Sequence, residues 1–518
     1  MLTPEQSAAV NSTSTAIAVI AGAGSGKTRT LVARVKSLVY KGTPPQSIIV
    51  VTFSNRAAGE LAQRLVESGE GFAHINVGTF HSIAYDLMPF KPQLLDQEES
   101  DELFAKCCAA TFTPKNQVNK ARKVCEQCRI DTALGKEAVP GKYRQAIDMY
   151  LSHLSLYGQI DFMGLLVWLC EHTGDFWISH LLADESQDNE PLQWEIIRRF
   201  KSQGTSVFCV LDPRQMIYGW RGADHGPIVQ LADETFHLTQ SFRVPQDVAQ
   251  LANSIADDAL PGMPPLVTGN TINGLEVSGK SVSETVQSLL DELFTPLDIA
   301  VLCRTNYSVR AASDELQSAR IPVSEQRELK LELKPLMQYL ANPRAATRTA
   351  KVNAIRAKIL SHDFLSLASV EPDSLNEMRI QHWLSANMTV RDIFADIIFS
   401  DESFEEEIVW WNNYFGGRYL QESLDRLALL TREAEVTSGV RVMTIHQAKG
   451  LEFPAVVAIG GDAPHVESIL TTYVQVTRPQ QRLVVLDWSD KPSYLAQKAK
   501  PIIFRNLQEN LAKKLARS

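Results

Sequence analysis

The chain has 518 residues, which at about 150 residues per domain predicts three or four domains. Its 51 Lys and Arg against 60 Asp and Glu give a net charge of −9, which excludes a chain that is cationic throughout but not a locally basic groove. No apolar run approaches the ~18 residues of a membrane helix, and the N-terminal MLTPEQ lacks the basic and apolar regions of a signal peptide. We therefore expect an intracellular protein without a membrane partner.

Cysteines are sparse, and their number, seven, is odd, which does not suit a secreted disulfide framework. The one cluster is Cys107, Cys108, Cys125 and Cys128. A zinc site needs two chelating pairs, and an adjacent Cys-Cys is a poor half-site inside a stretch that is predicted helical. We favour ordinary thiols here, with a zinc site as the alternative.

Short apolar strands alternate with helix-period segments along the chain, which predicts an α/β fold with parallel sheets covered on both faces. A first series of strands is predicted over 16–21, 48–52, 75–78, 178–184 and 207–212, and a second over 299–304, 440–446, 455–460 and 483–488. Two stretches without strand runs, 89–172 and 345–435, predict mainly helical insertions, one in each of two α/β domains.

The segment between the first strand and a helix predicted over 28–40 reads Ala21-Gly22-Ala23-Gly24-Ser25-Gly26-Lys27-Thr28. Small residues let backbone N–H groups converge on anionic oxygens at a helix N-terminus. The lysine can reach the β- and γ-phosphates, and the threonine hydroxyl can bind Mg²⁺. The pattern predicts a phosphate-binding loop, although its first position is Ala where the strict motif has Gly. The alternative is a glycine turn with an incidental lysine.

Two adjacent acids, Asp184 and Glu185, follow the strand predicted over 178–184. An acid at a strand's carboxyl end, beside a phosphate loop, can hold Mg²⁺, and its neighbour can polarise a water for attack on the γ-phosphate. Such a pair is common by itself, so the phosphate loop elsewhere in the chain is what favours an ATPase interpretation.

The order of these and further motifs resembles the UvrD/Rep/PcrA family of superfamily 1 DNA helicases. The resemblance rests on Leu2–Gln6, Val51–Ala58, Gly78–Ser82, Asp184–Asp188, Gln215–Ala223, Gln240–Arg243, Val442–Phe453 and Tyr473–Arg478. It weakens in the two helical stretches. The chain departs from the family's usual residues at Ser186, Leu211, Met216, Phe242 and Pro479.

The resemblance implies two RecA-like P-loop NTPase domains. The first, the ATP-binding domain 1A, would occupy 1–88 and 173–238, with helical insertion 1B at 89–172. The second, domain 2A, would occupy 239–344 and 436–518, with a reduced helical insertion 2B at 345–435. Basic stretches at 330–358 and 491–518 are either solvated faces or contacts to nucleic acid.

The resemblance also assigns an ATP and Mg²⁺ site. Its catalytic residues would be Lys27, Asp184, Glu185, Gln215, Arg243 and Arg478, the two arginines serving as fingers from the second domain. ATP would be bound by Gln6, Ala21, Gly22, Ala23, Gly24, Ser25, Gly26, Lys27, Thr28, Arg29, Phe242, Arg243, Glu452 and Arg478. Gln6 would read the adenine edge, Phe242 would stack on adenine and Glu452 would accept from the ribose. Thr28 and Asp184 would hold Mg²⁺.

A nucleic-acid surface is predicted from aromatic and polar residues of the same motifs. It comprises Phe53, Thr79, His81, Tyr218, Trp220, Arg221, Thr444 and His446. Aromatic faces stack on bases of any sequence, and the polar groups can contact phosphates or sugars. Core packing of Phe53 and helix capping by Thr79 are the alternatives for those residues taken singly.

We therefore predict an ATP-dependent helicase and translocase on single-stranded DNA, cytoplasmic or nucleoid-associated, with 3′-to-5′ movement implied by the resemblance alone. Its partners would be single strands, single-strand/duplex junctions and replication or repair proteins, with the oligomeric state left open. The main alternative is a DNA-dependent ATPase that displaces proteins without unwinding. A helicase-nuclease subunit would need more than the 40 residues that follow Arg478, and a P-loop kinase leaves the second strand series unexplained.

Overall fold

The structure is a computed structural model, and it describes residues 2–72, 74–324, 438–461, 463, 465–487 and 492–515. The insertion predicted over 345–435 and the basic stretch over 330–358 lie outside the described residues. The described chain forms two compact units. The main unit contains 2–80, 169–324 and the described residues from 438 onward, and the helical unit contains His81–Trp168.

The main unit holds two large parallel sheets, whose strands are numbered in chain order among the described residues. The first sheet contains β1 (Ala16–Ala21), β2 (Ile48–Val51), β3 (Asn76–Gly78), β6 (His180–Ala183), β7 (Ser206–Leu211) and β8 (Glu234–Leu238). Its strand order is β3-β2-β6-β7-β1-β8, with parallel pairing throughout. The residues of the main unit before Gln240, which form this sheet, the helices around it and the segments between them, are called the first lobe.

The second sheet contains β11 (Leu275–Ser278), β12 (Ile299–Cys303), β13 (Arg441–Thr444), β14 (Phe453–Ile459) and β15 (Pro479–Leu486). Its strand order is β11-β15-β14-β12-β13, again all parallel. Short strands β9 (Gln240–Ser241) and β10 (Val267–Thr268) pair beside it. The residues from Gln240 onward that surround this sheet are called the second lobe.

Helices cover both sheets. The helices of the first lobe are α1 (Pro4–Asn11), α2 (Lys27–Tyr40), α3 (Asn55–Val66), α9 (Pro191–Ser202) and α10 (Gly226–Leu231). The helices of the second lobe are α11 (Gln246–Ala259), α12 (Val282–Asp291), α13 (Asn306–Ser318), α14 (Val466–Val476) and α15 (Tyr494–Leu515). Helices α4 (Phe80–Leu87) and α8 (Phe162–His172) connect the main and helical units along the chain. Central strands such as β2 and β12 are buried at every residue, as parallel strands covered on both faces must be. The predicted α/β class with two RecA-like parallel sheets is confirmed.

Two edge strands were not predicted from the sequence, and a third strand begins earlier than predicted. Strands β8 and β11 lie at sheet edges and carry polar residues, so neither forms an apolar run. Strand β15 begins at Pro479, and that proline pairs with Phe453 at an irregular register before the regular pairing resumes at Arg482.

The helical unit contains α5 (Gln97–Ala110), α6 (Val118–Ala133) and α7 (Arg144–Leu156), together with a parallel pair, β4 (Gln93–Leu94) and β5 (Gln159–Ile160), that the sequence analysis did not predict. Cys107, Cys108 and Cys125 pack in its apolar core, and Cys128 is buried as well. Among the described residues, no group of His, Cys, Asp or Glu is arranged to hold a metal ion. Across the same residues, no helix combines the length and apolar character needed to span a bilayer.

Asp161 is the buried anion of the helical unit. Its carboxylate accepts from Arg129 Nη1 at 2.7 Å, from the Tyr150 hydroxyl at 2.7 Å and from the Gly164 N–H at 2.8 Å. Burial alone would raise the pKa of Asp161, but the charge and hydrogen bonds of Arg129 outweigh burial and lower it. The ionised carboxylate therefore stabilises the fold fully above its unfolded pKa of about 4, and that stability is lost as the pH falls through the lower folded value.

We expect Asp161→Asn to lower the free energy of unfolding by about 3 kcal/mol, because it leaves a buried guanidinium without its counter-charge. The measurement is thermal and acid unfolding of the full chain. Asp148→Asn is the matched control, since Asp148 is 63% exposed and pairs with Arg144 on the same helix. Equal stability of the two variants at neutral pH would contradict this account.

Candidate active site

The candidate site lies at the carboxyl ends of three neighbouring strands of the first sheet. The order β6-β7-β1 places the acids that follow β6, the segment that follows β7 and the glycine loop that follows β1 side by side. Ligand sites of open parallel sheets form at this edge. Helix α2 then starts at Lys27 without a side-chain cap, so its first backbone N–H groups are available to an anion.

The glycine loop has the backbone shape that its composition predicts. Gly24 and Gly26 have φ of +71° and +81°, a region that side-chain-bearing residues rarely adopt. A Cβ at Gly24 would lie 2.6 Å from Arg243 Cβ, and the Gly24 carbonyl accepts from the Phe242 N–H at 2.9 Å. The loop is therefore packed directly against the second lobe, and there is no room for a larger residue at Gly24.

Gln6 is buried against the same loop. Its Nε2 donates to the Ser25 carbonyl at 2.9 Å, and its Oε1 accepts from the Thr3 N–H at 3.0 Å as part of a capping box. A Cβ at Gly26 would lie 2.6 Å from Gln6 Nε2. The structure thus gives Gln6 a loop-supporting position. A contact with an adenine edge would use its second amide N–H and stays a prediction.

Lys27, Thr28, Asp184 and Glu185 come together as predicted from their motifs. Lys27 Nζ lies 3.5 Å from Glu185 Oε1, and the Thr28 hydroxyl hydrogen-bonds to Asp184. The backbone of Glu185 adopts φ +48° and ψ +38°, the left-handed region. Strain of this kind in a residue other than glycine is typical of functional sites. The hydroxyl and carboxylate oxygens of Thr28 and Asp184 are the hard ligands that Mg²⁺ prefers.

The pKa values of the two adjacent acids are shifted in opposite directions. Burial and the neighbouring Glu185 carboxylate raise the pKa of Asp184. Burial also acts to raise the pKa of Glu185, but the positive charges of Lys27, Lys449 and Arg478 outweigh it and lower the pKa. Glu185 therefore remains an anion with a hydrogen-bond-accepting carboxylate at neutral pH, the state that a water-orienting acid requires.

Two arginines of the second lobe reach this edge of the first sheet. Arg478 is 2% exposed, and its Nη2 donates to Gln215 Oε1 at 2.9 Å. Arg243 Nε lies 2.5 Å from Glu452 Oε2, so the predicted ribose acceptor is paired with a predicted finger in this structure. Burial and the like charge of Arg243 lower the pKa of Arg478.

Several residues at the site were not singled out from the sequence. Lys449 Nζ donates to Asp188 Oδ1 at 2.7 Å and to the Gln215 carbonyl at 2.6 Å, which joins the lobes across 261 residues of chain. Gln187 Nε2 donates to Glu185 Oε2 at 2.5 Å, and its Oε1 accepts from the Asp212 N–H at 2.9 Å. The available signal was the presence of these residues inside the quoted motifs, but pairing across such a distance is not visible in spacing.

Part of the predicted nucleic-acid surface is also assembled. The rings of Phe53 and Tyr218 stack with centroids 5.0 Å apart and planes at 16°, and the His446 ring lies 6.0 Å from Tyr218. The Lys449 ammonium lies 4.8 Å from the Tyr218 ring centre. Phe53 is 42% exposed and Trp220 is 69% exposed, so neither residue is core packing.

The remaining predicted residues have different surroundings. The Thr444 hydroxyl is engaged with Gln447 Oε1 at 2.9 Å, and Thr79 is buried. His81 belongs to the helical unit, where its ring packs edge-on against Phe162 at 5.5 Å. Phe242 is 55% exposed, as a residue that stacks on a base should be. The side chain of Arg221 lies outside the described part of the chain.

Comparison with known proteins identifies relatives that cover 98% of the chain. The model of the UvrD/REP helicase N-terminal domain matches residues 2–236, and that of the UvrD-like helicase C-terminal domain matches residues 388–489. The ATP-dependent DNA helicase PcrA of Staphylococcus aureus strain Mu50 is 23% identical over an alignment of 621 residues, which covers 98% of this chain and 84% of that protein. PcrA of Staphylococcus epidermidis strain RP62A is likewise 23% identical, with the same coverage.

Proposed function

This chain belongs to the UvrD/PcrA-like family of ATP-dependent DNA helicases, and from that premise we propose that its two lobes hydrolyse ATP between them and so step along single-stranded DNA. The observation that carries the proposal is the hydrogen bond from Arg478 of the second lobe to Gln215 of the first. Gln215 would sense the γ-phosphate, and Arg478 is a cation from the opposite lobe. Because the two side chains are in contact, Gln215 can report whether the lobes are closed on a phosphate.

ATP would be held chiefly by the glycine loop and the start of α2. The backbone N–H groups of the loop and the Lys27 ammonium would bind the β- and γ-phosphates, because small residues and a helix N-terminus favour anions there. Phe242 offers an exposed face to the adenine, and Gln6 adjoins the loop at Ser25. Arg243 would leave Glu452 and pair with phosphate when ATP binds. The freed carboxylate of Glu452 would then accept a hydrogen bond from the ribose.

Thr28 and Asp184 would hold Mg²⁺, and the bound ion would supply positive charge next to the phosphate oxygens. The pKa of Asp184 is raised in this structure, and a nearby divalent cation would favour its ionised form. Glu185 would orient and polarise the attacking water, with Gln187 fixing its carboxylate. Arg478 and Arg243 would stabilise the charge that develops on the phosphoryl oxygens.

Single-stranded DNA would run over the aromatic cluster of Phe53, Tyr218 and His446 and over the exposed Trp220. Stacking on aromatic faces tolerates any base sequence, which suits movement along arbitrary DNA. Tyr218 and Trp220 lie three and five residues after Gln215 in one segment. A base that moves this segment therefore shifts the residue that contacts Arg478, and this links DNA binding to hydrolysis.

The 3′-to-5′ direction, the preference for single-strand/duplex junctions, and association with replication or repair proteins are part of this proposal. They are supported by membership of the family and by the relatives named as DNA helicases. The direct test of the proposal is ATP hydrolysis with and without oligo(dT). We expect stimulation by the oligonucleotide, and hydrolysis indifferent to DNA would overturn the proposal.

We expect Trp220→Ala to weaken single-strand binding about tenfold, because each base stacked on an aromatic ring contributes roughly 1–3 kcal/mol. The DNA concentration for half-maximal ATPase stimulation should rise in parallel, while hydrolysis without DNA changes little. Fluorescence anisotropy and ATPase titrations measure the two effects. Trp177→Ala is the matched control, because Trp177 is 71% exposed but precedes β6, at the opposite edge of the sheet. Equal affinity of both variants for single-stranded DNA would contradict the proposed contact between Trp220 and DNA.

A further inference from the structure

Arg214 is a buried cation at the junction of the two lobes that the proposed mechanism does not use. It is 4% exposed, its Nε donates to Asp212 Oδ1 at 2.9 Å, and its Nη1 donates to the Pro264 carbonyl of the second lobe at 3.1 Å. Its guanidinium carbon lies 5.6 Å from the centre of the Tyr473 ring, also of the second lobe. One side chain thus spans an acid of the first lobe and two residues of the second.

Asp212, its partner, is fully buried and is the centre of a hydrogen-bond network. Its second carboxylate oxygen accepts from Gln215 Nε2 at 2.8 Å, and Gln215 Oε1 in turn accepts from Arg478. The Asp212 backbone N–H donates to Gln187, which holds Glu185. Through Asp212, the position of Arg214 is therefore connected both to the proposed γ-phosphate sensor and to the proposed water-orienting acid.

Arg214 also adjoins the phosphate loop. A Cβ built on Gly22 would lie 3.1 Å from Arg214 Nη2 and 2.5 Å from Leu266 Cδ1 of the second lobe. The hydroxyl of Tyr473, whose ring contacts the guanidinium, faces the backbone of Ala23 in the same loop. A loop that shifts around a phosphate therefore shifts against Arg214 and its second-lobe neighbours.

We propose that Arg214 is a positioning residue for ATP hydrolysis, which holds Asp212 and thereby Gln215 in register with Arg478 only while the second lobe is docked on the phosphate loop. The role requires a guanidinium, because its planar fork can donate to the carboxylate and to the Pro264 carbonyl together. A lysine can neutralise Asp212 but brings a single point of charge. This inference rests on the roles proposed for Gln215 and Arg478.

Arg214→Lys separates the charge pair with Asp212 from the bridge to the Pro264 carbonyl of the second lobe. Because the charge pair with Asp212 is kept, we expect a melting temperature close to that of the unchanged protein. Loss of the bridge to the second lobe should lower the DNA-stimulated kcat about tenfold, while the KM for ATP stays within about twofold. If Arg214 were only a structural ion pair, Arg214→Lys would leave both the melting temperature and the ratio of DNA-stimulated to unstimulated hydrolysis unchanged.

A second variant guards against misfolding. Asp212→Asn combined with Arg214→Met removes both buried charges, so neither is left unpaired, and the asparagine can still accept from Gln215. We expect this double variant to fold and to show the same tenfold fall in DNA-stimulated kcat. Normal stimulation in both variants would overturn the inference, and so would failure of both to fold, because a coupling bridge must be dispensable to the fold of each lobe.

Gln215→Ala in the same assay distinguishes failure of the proposed sensor from failure of the role of Arg214. If Gln215→Ala hydrolyses ATP normally, the proposed sensor itself is wrong. If Gln215→Ala is impaired while Arg214→Lys and the double variant behave normally, the proposed site stands and only the role of Arg214 fails.

Discussion

Lys27→Ala should lower DNA-stimulated ATP hydrolysis at least about a hundredfold, because it removes a positive charge aimed at the transferring phosphoryl group. Lys27 is 12% exposed, and its ammonium lies 3.5 Å from Glu185, at the first position of α2. Alanine suits a helix, and the left-handed glycines of the loop are untouched, so the fold should persist. Single-strand DNA binding in the absence of ATP should also persist, because the aromatic cluster does not include Lys27.

The measurement is steady-state hydrolysis with saturating oligo(dT), accompanied by a melting curve. Lys41→Ala is the matched control, since Lys41 is an exposed lysine that follows the same helix at its other end. We expect the control to hydrolyse ATP at the unchanged rate. More than a tenth of normal turnover in Lys27→Ala, with normal melting, would mean that the loop does not bind phosphate as proposed.

Arg478→Ala should have the largest effect on kcat, a fall of about a thousandfold or more, because a finger from the opposite lobe stabilises charge at the transition state. Its Nη2 already touches Gln215, so little reorganisation precedes catalysis. Arg478 also donates to the Val474 and Leu451 carbonyls, and we expect some loss of thermal stability as well. ATP binding should weaken far less than hydrolysis.

Arg478→Lys and Arg482→Ala separate catalysis from stability. The lysine keeps the buried charge but not the planar fork, so its rate should recover only in part while its melting recovers. Arg482 lies four residues further along, in β15, where it is half-buried and pairs with Glu276 and Glu292. Its alanine variant should hydrolyse ATP normally. Equal loss of hydrolysis in the Arg478 and Arg482 variants would mean that the loss comes from a destabilised fold and not from a missing catalytic group.

The central strands were predictable because they are buried on both faces, which forces continuous apolar runs such as 48–51 and 299–303. Edge strands β8 and β11 have one exposed side, so their sequences, ETFHL and LEVS, resemble loops. The two-residue pair β4–β5 depends on residues 66 positions apart, and no local pattern encodes such a pairing.

The site was predictable where motif chemistry is local, as in the glycine loop and the Asp184–Glu185 pair. What the sequence did not indicate are pairings across the lobes. Lys449 with Asp188 and Arg214 with the Pro264 carbonyl join segments 261 and 50 residues apart, and only the tertiary packing of the two lobes brings them together. Nor does spacing predict the left-handed backbone of Glu185.

The most direct measurement of the central claim is strand displacement on two matched duplexes, one with a 3′ single-stranded tail and one with a 5′ tail, with ATP present. Glu185→Gln serves as the control, because its glutamine can fill the place of the acid but cannot polarise the water as a carboxylate does. We predict ATP-dependent unwinding of the 3′-tailed duplex, little unwinding of the 5′-tailed duplex, and none by Glu185→Gln. Unwinding that favours the 5′ tail, or that Glu185→Gln performs at the normal rate, would contradict the account.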